Sequence, residues 1–249
     1  MQIKTIGAAA TLAFASSAAV AGSYQSEAGG YFEHTDFDDI SANGREFGLA
    51  GEYHFSPVNI GDHPLAEAAF LNHSSHIYAG VNRFTQSSAD LDTANLGIEF
   101  YVPDAMLYVA GEVIYQTNGD SDTDFLVAVG LTLLEGLLAR ATYQDEADQW
   151  GLDAKYVFSV GQSSAINLEG GYLNDDNFDA FRLSGDFYID SHLSIGAGVV
   201  HFDNDNASNN QVFEVRGRSF FTDEFSVELA FAYDDDAFRR ATLSAAYRF

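Results

Sequence analysis

Two groups of side chains in this sequence have types and spacings that could do chemistry: seven histidines and a run of alternating aspartates. Histidine suits acid–base or metal work because its ordinary pKa lies near neutrality. Here His34 and His201 stand near expected loops, His63 in a turn and His192 at a strand start. None has a serine or aspartate in a recognisable nucleophile context, and no Gly-x-Ser-x-Gly occurs. His73 and His76, read on one strand, point to opposite faces and could not clamp one metal. The run Asp120-Ser121-Asp122-Thr123-Asp124 has the spacing that opens a calcium loop, but Phe125 follows where glycine is needed and no glutamate closes the motif. Asp120, Asp122 and Asp124 are therefore weak metal candidates, better read as a solvated loop. Cysteine is absent, which removes thiolate metal sites, disulfides and lipid attachment. No residue pattern supports an enzyme, and none calls for a cofactor.

A larger constellation is electrostatic. Arg140, Lys155, Arg182, Arg216, Arg218, Arg240 and Arg248 all fall on the polar face of alternating segments, mostly late in the chain. Glu46, Glu52, Glu99 and Glu112 occupy the same kind of face early in the chain. Brought into one closed barrel, the two groups would face each other across the interior. A transverse field would then act on polar solutes and ions in a water-filled pore. The other reading is local pairing that partly plugs the interior, with Asp153/Lys155, Arg182/Asp186 and Glu214/Arg216 as candidates. Both readings stay open at this level.

The elements that position these residues are strands. From about Phe47 onward, apolar and polar residues alternate with a period of two, the signature of a strand with one oily and one wet face. Phe225, Val227, Leu229, Phe231 and Tyr233, for example, oppose Glu224, Ser226, Glu228, Ala230 and Ala232. The pattern predicts strands over 24–33, 44–56, 65–84, 94–102, 106–117, 124–133, 137–144, 149–159, 164–174, 178–189, 192–202, 210–221, 224–234 and 237–249. That is about fourteen, within bounds of about 12–16. The alternation breaks within 65–84, so a bulge would keep one strand there and a turn would make two.

The connections alternate in kind. One set is short, with the longer Pro57 to Pro64 among it; the other is expected to be longer and is acidic, carrying Asp36, Asp38, Asp39, Asp90, Asp92, Asp145, Asp148, Asp175, Asp176, Asp203, Asp205 and Asp234 to Asp236. Such alternation requires an up-and-down meander with both chain ends on one rim. The expected fold is a closed antiparallel transmembrane β-barrel, all β.

A membrane location follows from three features. Lys4, the apolar run Ile6 to Val20 and the small-x-small site Ala19-Val20-Ala21 form a secretory signal peptide over 1–21, leaving a barrel over 22–249. Almost every strand keeps an oily face, while the opposite face carries charges of both signs, the reverse of a soluble barrel with an apolar interior. Aromatics track the two proposed rims: Phe55, Phe100, Phe158, Phe187, Phe225 and Phe249 on one, and Phe32, Phe47, Tyr115, Phe125, Tyr143, Trp150, Tyr172 and Tyr233 on the other. The formal charge of −26 excludes nucleic acid, whose phosphates require clustered Lys and Arg. The acidic rim also suggests cation enrichment at the mouth and contact with lipopolysaccharide phosphates through divalent cations.

The last strand places Ala241, Leu243, Ala245, Tyr247 and Phe249 on one face, and this comb resembles the carboxy-terminal signature of outer-membrane proteins. The segment Pro64-Leu65-Ala66-Glu67-Ala68-Ala69-Phe70-Leu71-Asn72 is similar to a recurring stretch of a bacterial porin family of Gram-negative outer membranes. The signal segment implies Sec export, the terminal comb implies delivery to the barrel-assembly machinery with Phe249, Tyr247 and Leu243 as the assembly signal, and the family resemblance implies the barrel fold and diffusion of small polar solutes or ions. Compared with larger general porins the chain has fewer expected strands and no long loop expected to fold inside, so a homo-oligomer and a loop-built constriction do not follow. Fourteen strands predict a narrow pore, with Gly97, Gly130, Gly151, Gly171, Gly196 and Gly198 leaving space. The competing function is a non-conducting barrel serving as surface scaffold, adhesin or lipopolysaccharide contact.

Overall fold

The computed structural model describes residues 22–37, 43–61, 63–87, 89–102, 104–118, 120–204, 209–234 and 237–249. The expected signal segment lies outside the described residues, as do Asp38, Asp39, Pro103, Asp205, Asp235 and Asp236.

The alternating segments form fourteen strands. These are β1 (Ser23–Phe37), β2 (Asn43–Asn59), β3 (His76–Gln86), β4 (Ala89–Val102), β5 (Leu107–Asn118), β6 (Asp120–Leu134) and β7 (Leu137–Gln144). They continue as β8 (Gln149–Ser159), β9 (Ala165–Asp175), β10 (Phe178–Tyr188), β11 (Leu193–Asn204), β12 (Asn210–Phe220), β13 (Phe225–Asp234) and β14 (Phe238–Arg248). Each strand pairs antiparallel with its sequence neighbours, and β1 pairs with β14 from Glu27↔Arg248 to Phe37↔Phe238 to close the barrel. Closure leaves no unpaired edge, which a lipid environment does not tolerate.

Outward positions are apolar and exposed, as at Leu96, Leu183 and Ile195. In water such a belt would be a severe liability; in lipid it is the matching surface. Aromatic rings cluster at both ends of it. Trp150, Tyr172 and Phe181 form a chain with centroids 5.2 and 5.0 Å apart, and at the other rim Tyr156 stacks on Phe158 and Tyr247 meets Phe249 at a tilt, both at 4.9 Å.

The acidic connections are not the longer ones. At several of them the strands run on past the apolar belt and carry the acids on their ends, and β9 and β10 turn within two residues after Asp175. Asp36, Asp90, Asp92, Asp122, Asp124, Asp175, Asp203 and Asp234 all lie within strands. β2 has 17 residues, whereas about 9–11 suffice to cross a bilayer. Outside lipid, a hairpin can be polar on both faces and still keep its ladder.

The longest connection, 60–75, joins β2 to β3 on the rim that holds both chain ends. Residues 65–84 are therefore not one strand. A 3-10 turn at Leu65–Glu67 leads into one helical turn, α1, at Ala68–Leu71, and the strand begins only at His76. The residues explain this: Leu, Ala and Glu favour helix, Pro64 presets the entry dihedral, and Asn72 caps the end through its side chain to the carbonyl of Ala68 at 2.7 Å. His73 then takes a positive φ of 48° and turns the chain back to the wall.

Candidate functional site

The barrel interior divides into two walls of different chemistry. On β2 to β5 the interior carboxylates meet tyrosine, asparagine and histidine side chains. Tyr31 donates to Glu46, which also accepts from Asn82 at 2.7 Å. Tyr78 donates to Glu112 at 3.0 Å, and Asn95 donates to its other oxygen at 2.7 Å. Glu52 meets His54 Nε2 at 2.9 Å and lies 3.8 Å from His76. Glu99 sits on the same face of β4 as Asn95 and Tyr101, in register with Ala110 and His76.

Glycines position the tyrosines. Tyr31 lies opposite Gly48 and Tyr78 opposite Gly97, and a β-carbon at either glycine would overlap the facing ring. Each ring lies over the glycine of the next strand and carries its hydroxyl to a glutamate beyond. The space expected over Gly97 is thus filled, as is that over Gly196, where the carboxylate of Asp186 sits.

On β7 to β14 the interior bases are paired with acids. Arg140 binds Asp153 at 2.8 Å; Lys155 binds Glu67 at 2.7 Å and lies 3.5 Å from Glu169. Arg216 bridges Asp186 at 2.7 Å and Glu214 at 2.9 Å, and Arg218 meets Glu228 at 2.8 Å. Arg240 lies 3.6 Å from Glu33 and Arg248 2.5 Å from Glu27.

Two expected pairs are not formed. Asp153 takes Arg140 rather than Lys155, and Asp186 takes Arg216 rather than Arg182. Residues directly opposite on neighbouring strands are about 5 Å apart, while on one strand i and i+2 are about 7 Å and i and i+4 about 13 Å apart. Cross-strand partners therefore win. Asp186 reaches Arg216 over the bare backbone of Gly196, which is in register with both. Glu214/Arg216 does form. Arg182 is exposed in the interior and has no ion-pair partner among the described residues.

The connection 60–75 crosses the interior at the rim of the chain ends, contrary to the expectation that no loop folds inside. Leu65 and Ala68 are buried, the latter beside Tyr24 and Val58, while Phe70 packs on Tyr101, Tyr108, Ala128 and Leu138. Glu67 reaches the opposite wall, where it accepts a 2.5 Å hydrogen bond from Tyr188 besides the Lys155 pair. Arg248 donates to the carbonyl of Leu65 at 2.9 Å and lies between the rings of Tyr24 and Phe220 at 4.5 and 4.6 Å. Phe249 itself is zipped to β1, its carbonyl accepting from Gln25 at 2.7 Å and its amide donating to Ser26 at 2.8 Å. Leu243 and Tyr247 face outward, as the comb requires.

The histidines are used differently from their expected placement. His73 is off the strand and stacks on Tyr101 at 5.2 Å, and burial pushes its pKa below the ordinary histidine value. Ser74 Oγ is 2.9 Å from His54 Nδ1, so Ser74, His54 and Glu52 stand in line like a nucleophilic relay. His54 is fully buried between Tyr24 and His76, and none of the three lines the interior cavity described below, so the line ties the inner segment to the wall. The spacing Glu52-x-His54 on one strand face is the signal in the sequence that could have found two of the three; Ser74 arrives through the turn at His73.

The calcium-like run is part of a strand instead of a loop. Asp124 accepts from Gln144 at 2.5 Å and from the amide of Glu146 at 3.0 Å, which commits it to the neighbouring hairpin. Asp122 accepts from the amide of Thr123 at 2.8 Å, while the side chain of Asp120 lies outside the described residues. Among the described residues no group of three or more His, Asp or Glu is arranged to hold a metal ion.

An interior cavity of about 470 Å3 lies against the paired wall, lined by residues that include Lys155, Glu169, Arg182, Ser184, Glu214 and Arg216.

Comparison with known proteins agrees with this architecture. The model of the family described as "Putative general bacterial porin" matches residues 2–167. The crystal structure of the Acinetobacter baumannii outer membrane protein Omp33 is similar at 25% identity, covering 92% of this chain and 99% of that one with a TM-score of 0.76. Pseudomonas putida OprB in its low-pH structure shares the fold at 9% identity, with 91% and 92% coverage and a TM-score of 0.50. A search of curated protein sequences found no match. With a family model spanning more than half its length and a closed barrel of fourteen strands, the chain belongs to the general bacterial porin family of the outer membrane.

Proposed function

We propose that this porin is a narrow channel for small hydrophilic solutes and ions with a weak preference for cations. One observation carries the preference. Glu46 and Glu112 accept from uncharged Tyr and Asn donors and have no Lys or Arg within ion-pair distance among the described residues, whereas the interior bases of the other wall, Arg182 excepted, each meet an acid. The uncompensated field inside is negative, and it acts at close range where screening is weak. The pore-lining set is Glu46, Glu52, Glu99, Glu112, Arg140, Asp153, Lys155, Arg182, Asp186, Glu214, Arg216, Arg218 and Arg240. The inner segment Leu65–Leu71 narrows the mouth at the rim of the chain ends.

In this reading that rim is periplasmic, residues 1–21 direct Sec export, and Phe249, Tyr247 and Leu243 present the assembly machinery with an outward comb. The acidic rim then faces outward, where divalent cations bridge it to lipopolysaccharide. Deleting Phe249 should impair insertion, and normal insertion of that variant counts against the assembly role.

Reversal potentials across planar bilayers in a salt gradient test the selectivity. A modest cation preference is expected, reduced in the Glu46→Gln/Glu112→Gln variant; clear anion preference overturns the proposal. The paired charges and the segment across one mouth favour a second reading, a closed barrel acting as surface scaffold or lipopolysaccharide contact. Folded, purified protein that gives no conductance selects it.

A further inference from the structure

We infer that the interior cavity is a binding site for small zwitterions of the α-amino acid type. The inference deepens the porin reading by naming a solute class, and it rests on that reading only for how the solute arrives.

The strand register lays the cavity out in rows. Glu169, Ser184, Gly198 and Glu214 follow one another across β9 to β12 on the interior face. Ser184 and Gly198 form a low floor between two carboxylates. In the next row Arg182 stands between Gly171 and Val200, its guanidinium reaching toward Gly171, which Asp153 flanks on the other side. The row on the other side is closed by the Asp186–Arg216 pair.

The valences left open are of both signs. Arg182 is exposed to the interior with no carboxylate within ion-pair distance among the described residues, its charge reaching Glu169 only from farther off, and five N–H donors are available to it. Asn167, only 2% exposed, lines the same cavity with its amide oxygen unpartnered. Glu214 spends one oxygen on Arg216, and Glu169 spends one on Asn167 and Lys155. A simple anion drawn to Arg182 meets these carboxylates; a simple cation drawn to the carboxylates meets Arg182 and Arg216. Only a ligand carrying both charges gains from both. Diagonal neighbours on paired strands are about 7–8 Å apart, so a carboxylate on Arg182 leaves an adjacent ammonium within reach of Glu169. The volume, about 470 Å3, lies inside the range of about 300–1,000 Å3 typical of small-molecule sites.

The test titrates L-glutamine, its N-acetyl derivative and its α-amide into the full-length barrel in detergent, with binding read by ligand-observed NMR or calorimetry. Glutamine should bind, and both blocked analogues should bind at least about tenfold more weakly, since a charge-assisted contact is lost in each. Arg182→Gln and the cavity-filling Ser184→Leu should each weaken glutamine by a similar factor while the barrel keeps its heat-modifiable mobility. Arg83→Gln, on the outer surface, should change nothing. Equal binding of the N-acetyl compound (an anion site), equal binding of the amide (a cation site), indifference to Arg182→Gln, or no binding overturns the inference. Because the readout needs no conduction, a closed barrel that binds glutamine defeats the pore and keeps the site; a conducting barrel that ignores it does the reverse.

Discussion

The two walls of the barrel keep charge inside a protein by opposite means. The wall of β2 to β5 surrounds its carboxylates with tyrosine, asparagine and histidine side chains in place of Lys or Arg. The wall of β7 to β14 sets a base against nearly every acid. The first arrangement preserves a field for the lumen; the second cancels it locally and stiffens the wall. One alternating strand pattern accommodates both, because only the choice of residue opposite differs.

The largest test of this contrast is at the seam. Arg248 is 5% exposed, joins β14 to β1 and holds the inner segment. Arg248→Met strands Glu27 and the carbonyl of Leu65, and should cost about 3–5 kcal/mol, read by denaturant unfolding in detergent. A change below about 1 kcal/mol would show that the seam does not depend on this cation.

Arg216→Met breaks the paired wall at its centre, leaving Asp186 and Glu214 facing each other. Partial access to water reduces the penalty, so about 2–3 kcal/mol is expected. The same variant should strengthen cation preference in reversal-potential measurements, because two acids are released. Unchanged selectivity would mean that the ion path avoids this wall.

Tyr78→Phe is the matching change on the other wall. Glu112 loses one neutral donor but keeps Asn95, so about 1 kcal/mol is expected. Since no charge changes, selectivity should stay put, and a shift comparable to that of Arg216→Met would erase the distinction between the walls. Smallest of all is Arg83→Gln. That residue pairs with Asp92 at 2.5 Å on the exposed outer side, and its loss should leave the unfolding midpoint unmoved.

Much of the fold was legible because alternation is a local property. Phe225 to Tyr233 need only their own sequence to separate oily from wet, and short turns then order the strands. The inner segment escapes because its helix-forming residues at 65–71 run directly into the apolar residues of the strand after them. Its Pro64 entry and Asn72 cap were present as signals, yet its docking on Tyr188, far away in sequence, was not. The histidine line fails for a similar reason, since Ser74 reaches His54 only through the positive-φ turn at His73.

The sequence by itself determined the barrel, its strand number, which face of each strand meets lipid and the place of Phe249 at the closing edge. Those follow from a period of two and from the requirement that no edge remain open. The tertiary structure alone decided which charges meet. Pairing depends on register across strands and on glycines that clear the way, as Gly196 does between Asp186 and Arg216. Such contacts leave no periodic trace along the chain, and so Arg182, expected in a pair, emerged as the exposed cation of the interior cavity.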